Sequence, residues 1–134
     1  MKAFRCGTEA SPTPQRAEPY ADRLASLAPG SGHLVHMPAH TYIRTGRYHD
    51  ATLTNLAAGT ADKTFLAVCH GSNGIYPLGY VPHNWHFASM SAGLTGSRAL
   101  ALQAAEQTAQ RADRARDRLL NDRQNHDTNV AALA

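Results

Sequence analysis

Cysteine is nearly absent from this chain. Cys6 and Cys69 are the only two, and they form no Cys-x-x-Cys pair. A disulfide framework is therefore not expected, and both thiols are read as reduced. Cys69, beside His70, has the chemistry of a metal ligand or nucleophile, but a lone cysteine is more often a small half-buried hydrophobe. Long apolar runs are also missing: none approaches the ~20 residues that span a membrane. The start, Met1-Lys2-Ala3-Phe4-Arg5-Cys6, lacks the apolar stretch of a secretory signal. A cytoplasmic location without a membrane is expected. Lysine is scarce as well, since eleven of the thirteen basic residues are arginine. Five of those arginines fall between Arg111 and Arg123, but Asp113, Asp117 and Asp122 interleave with them. With a formal net charge of only +3, that stretch reads as a solvated helix face rather than a nucleic-acid surface.

What is present is a globular composition, 43% hydrophobic and 17% charged, over 134 residues. That length suits one domain with a core of its own. Histidine is the conspicuous residue. Seven of the eight lie between His33 and His86. His33, His36 and His40 stand in Gly-His-Leu-Val-His-Met-Pro-Ala-His, and His83 and His86 in Pro-His-Asn-Trp-His-Phe. On a helix, residues three and four apart share a face. Imidazole is the commonest protein metal ligand.

Proline and glycine punctuate the chain into an all-α pattern. Residues 1–19 hold Pro12, Pro14 and Pro19 and are expected to be irregular. Helices are expected over about residues 20–28, 33–45, 48–68, 83–94 and 97–120, forming a helical domain over 20–120. A polar C-terminal tail, 121–134, should fray. Pro38 falls inside the second helix, so either that helix starts near Val35 or it is interrupted at Pro38. In the first case His33 would precede it. Residues 70–82 form a long connection rich in Gly, Pro and aromatic residues, of the kind that is often functional.

The two helix pairs carry one pattern. Val35, Ala39, Tyr42, Gly46, Tyr48, Ala51, Asn55 and Ala58 fall at the offsets of a tetratricopeptide repeat, a helix hairpin of about 34 residues. Trp85, Ser89, Ala92, Gly96, Arg98, Ala101, Ala105 and Thr108 fall at the same offsets in the second pair. Antiparallel hairpins of this type are therefore expected, as a compact bundle or short solenoid. Two repeats are fewer than the roughly three an independent solenoid needs, so the chain is expected to be a compact bundle, a piece of something longer, or a dimer.

Longer stretches of the chain resemble a known family. Glu9-Ala10-Ser11-Pro12-Thr13-Pro14, Ala21-Asp22-Arg23-Leu24, the run from Gly32 to Ala51, and the run Tyr76-Pro77-Leu78-Gly79-Tyr80-Val81-Pro82-His83-Asn84-Trp85-His86-Phe87 are similar to bacterial tetratricopeptide-repeat proteins, which are longer and mostly uncharacterised. The resemblance covers about residues 9–110. It implies an all-α fold and a polar pocket lined with histidine, and it supplies no substrate. Family members carry a further histidine-bearing helix just upstream, where this chain has Met1 to Thr8. The resemblance therefore implies that this chain corresponds to the middle of the family's architecture, with Glu9 at the edge of the upstream helix.

Three function classes follow. In the first, His36, His40, His83 and His86, with His33 as a further ligand or supporting partner, hold a transition metal, for which three or four imidazoles suit Zn²⁺, Cu²⁺, Ni²⁺ or Fe²⁺. A reaction there would need an acid or base; Glu9, Asp50 and Tyr76 have the chemistry, but no complete motif places them, and no reaction is assigned. Asp50 is better read as serving the start of its helix. In the second class the chain is an interaction scaffold for a protein partner or a second copy, with Arg44 and Arg47 available to a partner's carboxylate. In the third it is a partial family member without a complete site. Tyr42, Tyr48, Tyr76, Tyr80 and Trp85 line a pocket or, more commonly at such spacings, the core.

Overall fold

Two short turns, built alike, set the architecture. In the first, Gly46 takes a left-handed φ of 81° and the Arg47 N–H donates to the Tyr42 carbonyl at 2.8 Å. In the second, Gly96 has a φ of 74° and the Ser97 N–H donates to the Ala92 carbonyl at 2.9 Å. Glycine is favoured at both because a Cβ is strained in that region, and the backward bond satisfies carbonyls that the helix end leaves unpaired. Each turn reverses the chain between helices.

A computed structural model describes residues 10–69 and 74–131, excluding the side chains of Cys69 and 125–131. Cys6, Glu9 and His70 lie outside the described residues. A 3-10 turn, Pro14–Ala17, leads into α1, Glu18–Leu27. The remaining helices are α2 (Gly32–His36), α3 (Pro38–Arg44), α4 (Tyr48–Cys69), α5 (Val81–Leu94) and α6 (Arg98–Ala131), with a π-helical turn over Tyr76–Tyr80 before α5. The described residues are all-α. No helix among them is long and apolar enough to cross a membrane.

Several boundaries differ from expectation, each for a local reason. α1 starts at Glu18 because Pro19 lies in its first turn, where a missing N–H costs nothing. The expected helix over 33–45 is two helices. Met37 keeps helical angles, φ −51° and ψ −35°, but Pro38 has no N–H to offer the preceding turn. The hydrogen-bond ladder is interrupted there while the chain continues helically, so His33 stays inside α2. The connection after residue 73 is not irregular; it coils as the π-helical turn and runs directly into α5, with Pro82 in that helix's first turn. α6 passes the expected end near Leu120 and reaches Ala131, as no Gly or Pro interrupts residues 98–131.

α4 is the central element: it packs on α2 and α3 and on α5, and α5 packs in turn on α6. Alanine makes these approaches close. Ala21, Ala39, Ala51, Ala58, Ala88, Ala92 and Ala104 are fully buried. Bulky aliphatic side chains do not fill the centre; Leu27, Leu53 and Val68 are more than half exposed. The largest fully buried side chains include His36, Asn55, Asn84, Thr41 and Asp62. Polar groups withdrawn from water destabilise unless they bond one another. The centre of this fold is thus a polar network held between alanine-rich helices.

One glycine shows how tightly that network is enclosed. A Cβ on Gly32 would collide with the Asp62 carboxylate and stand 2.8 Å from the Ala58 carbonyl oxygen. Only glycine lets the start of α2 lie directly on α4. Away from the centre, Arg47 ties α1 to the α3–α4 turn. It meets Asp50 at 2.7 Å, Asp22 at 2.9 Å and Glu18 at 3.3 Å, and its guanidinium lies 4.3 Å from the Tyr42 ring centre. The Tyr42 hydroxyl also donates to Asp22. Arg47, which the sequence offers either to a partner's carboxylate or to solvent, meets three carboxylates of its own chain. Asp50 lies in the first turn of α4, as expected.

Candidate metal centre

His36 is fully buried on α2, one turn before His40 on α3. The i, i+4 spacing survives the interruption at Pro38, and the two Nε2 atoms stand 2.9 Å apart. From α5, the His83 Nε2 comes within 3.1 Å of the His36 Nε2. One ring nitrogen from each of His36, His40 and His83 lies within 4.8 Å of the other two. His40 and His83 are half-buried. The three residues come from three helices and form a cluster that could hold a metal.

The protonation of the central imidazole follows from its other nitrogen. His36 Nδ1 lies 2.6 Å from Asn55 Oδ1. A carbonyl oxygen only accepts, so Nδ1 carries the proton and donates it. The Nε2 atom is then bare, with one lone pair directed at the other two rings. Burial holds the His36 pKa down to about 3, against the opposing pull of the Asn55 hydrogen bond; the nearby His40, His83 and His33 lower it further. Burial, followed by the influence of His40, also lowers His33 and His83. Neutral imidazole is the metal-ligating form.

Phe87, one turn after His83, closes one side. Its ring centre is 4.9 Å from that of His36, 4.6 Å from His40 and 4.7 Å from His83. His33 sits at the edge, with its ring centre 5.8 Å from His36, 6.4 Å from His83 and 4.2 Å from Tyr80. Its backbone N–H donates to the Tyr76 hydroxyl at 3.3 Å. That hydroxyl donates at 2.7 Å to Asp62, which also accepts from the Asn84 amide at 2.8 Å. Burial, then the bond to Asp62, pushes the Tyr76 pKa up to about 12 and keeps its proton in place. Asp62 therefore fastens α4 to the Tyr76–Tyr80 turn and to the residue after His83.

Of the five histidines expected from sequence, the structure joins three, places His33 beside them and turns His86 away. His86 is exposed, and among the described aromatic contacts its ring meets only Phe87, at 6.2 Å between ring centres. Helical geometry explains this. Successive residues turn by about 100°, so three residues leave His86 about 60° round from His83. The buried face of α5 carries Val81, Asn84, Ala88, Ser91 and Ala92; His83 borders it and His86 lies beyond, toward solvent. Of the aromatic candidates, Tyr42 is core, Tyr76 and Tyr80 flank the centre, and Trp85 packs elsewhere, with the Arg111 guanidinium 5.1 Å from its ring centre.

Asn55, Asp62 and Phe87 were not among the expected site residues. A signal for the first two exists. Ala51, Asn55, Ala58 and Asp62 follow one another at spacings of four, three and four, and all are buried. An amide and a carboxylate on a stripe otherwise made of alanine mark a buried polar network. Comparison of the chain with protein-family models, curated proteins and solved structures finds no match. The site must be read from its own chemistry.

Proposed function

We propose that this domain binds a divalent transition metal through the Nε2 atoms of His36, His40 and His83. One observation carries the reading. Two imidazoles turn Nε2 toward a His36 Nε2 whose partner nitrogen is already committed to Asn55. Protons alone satisfy this arrangement poorly: two donors would share one lone pair, or bare nitrogens would face each other. A cation between the rings satisfies all three. Tetrahedral zinc with imidazole ligands places its nitrogens about 3.3 Å apart, close to the 2.9 and 3.1 Å seen here. Asn55 then supplies the outer hydrogen bond that fixes the tautomer and aim of a ligating histidine. Zn²⁺, Cu²⁺, Ni²⁺ and Fe²⁺ all accept such donors. No catalytic step is part of the proposal. The repeat-type reading of the hairpins is part of it, supported by the matching turns at Gly46 and Gly96.

Elemental analysis and Zn²⁺ titration of the purified chain test the proposal. About one equivalent of metal is expected, with a higher melting temperature in the metal-bound form. His40→Ala should abolish tight binding, whereas His86→Ala should leave it unchanged. A chain that takes up no metal, and melts identically with and without chelator, would overturn the reading.

A further inference from the structure

Resting on the three-histidine reading, the geometry points to His33 as the fourth ligand, making a closed, four-imidazole centre with no position for a substrate. Three observations converge. First, the centre is already nearly the right size. Four imidazoles around tetrahedral zinc have ring centres about 5 Å apart. The three pairs among His36, His40 and His83 measure 4.8, 4.7 and 5.8 Å. His33 stands 5.8 Å from His36 and 6.4 Å from His83, outside the group of three nitrogens, and ligation requires its ring to move inward toward them. Second, His33 Nδ1 is buried and has no hydrogen-bond partner among the described residues. A buried unpaired nitrogen is costly, and ligation would satisfy it. Third, His33 is supported on a neighbouring aromatic and through its backbone. Tyr80 packs on its ring, and its backbone N–H is anchored through Tyr76 to the buried Asp62.

The consequence is a different kind of metal site. Catalytic zinc keeps three protein ligands and an open position, whereas structural zinc is closed by four. With His33 included, the ion joins α2, α3 and α5, helices brought together here by the packing of α4. Its role is to fix that assembly, and the ligand class is a borderline divalent cation that tolerates an all-nitrogen tetrahedral shell.

Cobalt substitution tests this on the full chain, with azide as a probe for an open position. Co²⁺-loaded wild type should show the intense visible bands of four-coordinate cobalt, unchanged by azide. His33→Ala should bind Co²⁺ more weakly than wild type, by more than the roughly 10- to 100-fold that losing an outer partner costs, and its spectrum should shift with azide. His33→Phe retains a ring against Tyr80 and should behave like His33→Ala, which separates ligation from packing. An azide-sensitive wild-type spectrum, or His33 variants with wild-type spectrum and affinity, would overturn the fourth ligand and leave the three-histidine site standing. Absence of cobalt bands from wild type would overturn both.

Discussion

His36 and Asn55 form the pair on which the centre turns. The amide carbonyl decides which imidazole nitrogen is bare, and burial decides that the ring stays neutral. Asn55→Ala should therefore weaken metal binding by roughly 10- to 100-fold, the usual cost of an outer partner. Leaving the buried Nδ1–H unpaired should also lower stability by about 1–3 kcal/mol. Asn55→Asp retains an acceptor and should restore most of the affinity; calorimetric titration of the three proteins gives the comparison. The same burial makes the metal-free fold sensitive to acid. The unfolded His36 takes a proton near its ordinary 6.5, while the folded residue resists it down to about 3. Below pH 6.5 the unfolded state thus binds more protons, and stability falls as pH drops through that window. His33 and His83, shifted in the same direction, add to the effect. Urea unfolding of chelated protein at about pH 7 and about pH 4 should show a loss of several kcal/mol, and His36→Ala should reduce it.

At the scale of elements, Pro38 and the two glycine turns decide which faces meet. Pro38 removes one rung of the ladder without ending the helical path, so His33, His36 and His40 keep their spacing across two short helices. Such short helices have little stability of their own and depend on packing. Arg47 supplies part of it by joining α1 to the turn before α4. Each partly exposed ion pair contributes about 0.2–1 kcal/mol. Three pairs around one guanidinium, with the Tyr42 ring beneath, suggest a loss of about 1–2 kcal/mol for Arg47→Ala. Arg47→Lys should recover only part, because an ammonium lacks the planar fork. Denaturant melts measure both, and metal affinity should be unaffected, since Arg47 touches none of the four histidines. The element boundaries were mostly legible from Pro and Gly. The π-helical turn was not, because Tyr-Pro-Leu-Gly-Tyr reads locally as a loop, whereas in the fold it coils with Tyr76 bonded to the distant Asp62.

Across the whole molecule, packing is concentrated at one end of α6. That helix has 34 residues, about 51 Å, against 14 residues, about 21 Å, for α5. Ala115 is the last buried side chain described along it, and Leu119 and Leu120 are 60% and 56% exposed. Amide exchange followed by mass spectrometry should show slow exchange up to about residue 115 and fast exchange beyond about residue 120, since an unpacked helical end is marginal in water. Uniform protection to Ala131 would instead indicate that a second chain covers the leucines.

The sequence by itself determined the all-α class, the two reversals at Gly46 and Gly96 and the concentration of histidines between residues 33 and 86. These follow from local rules: φ preferences, missing N–H groups and helical periodicity. Tertiary structure decided which imidazoles meet. Helical spacing places His83 and His86 about 60° apart on α5 but does not say on which side of them the core lies. Packing of α4 and α5 placed it on the side of Asn84, so His83 turns inward and His86 toward solvent. The protonation state of His36 was likewise beyond the sequence, because it depends on an amide nineteen residues away on another helix. Burial and hydrogen bonding, which arise only when the helices close on one another, made a cluster that could hold a metal from three of five candidate histidines.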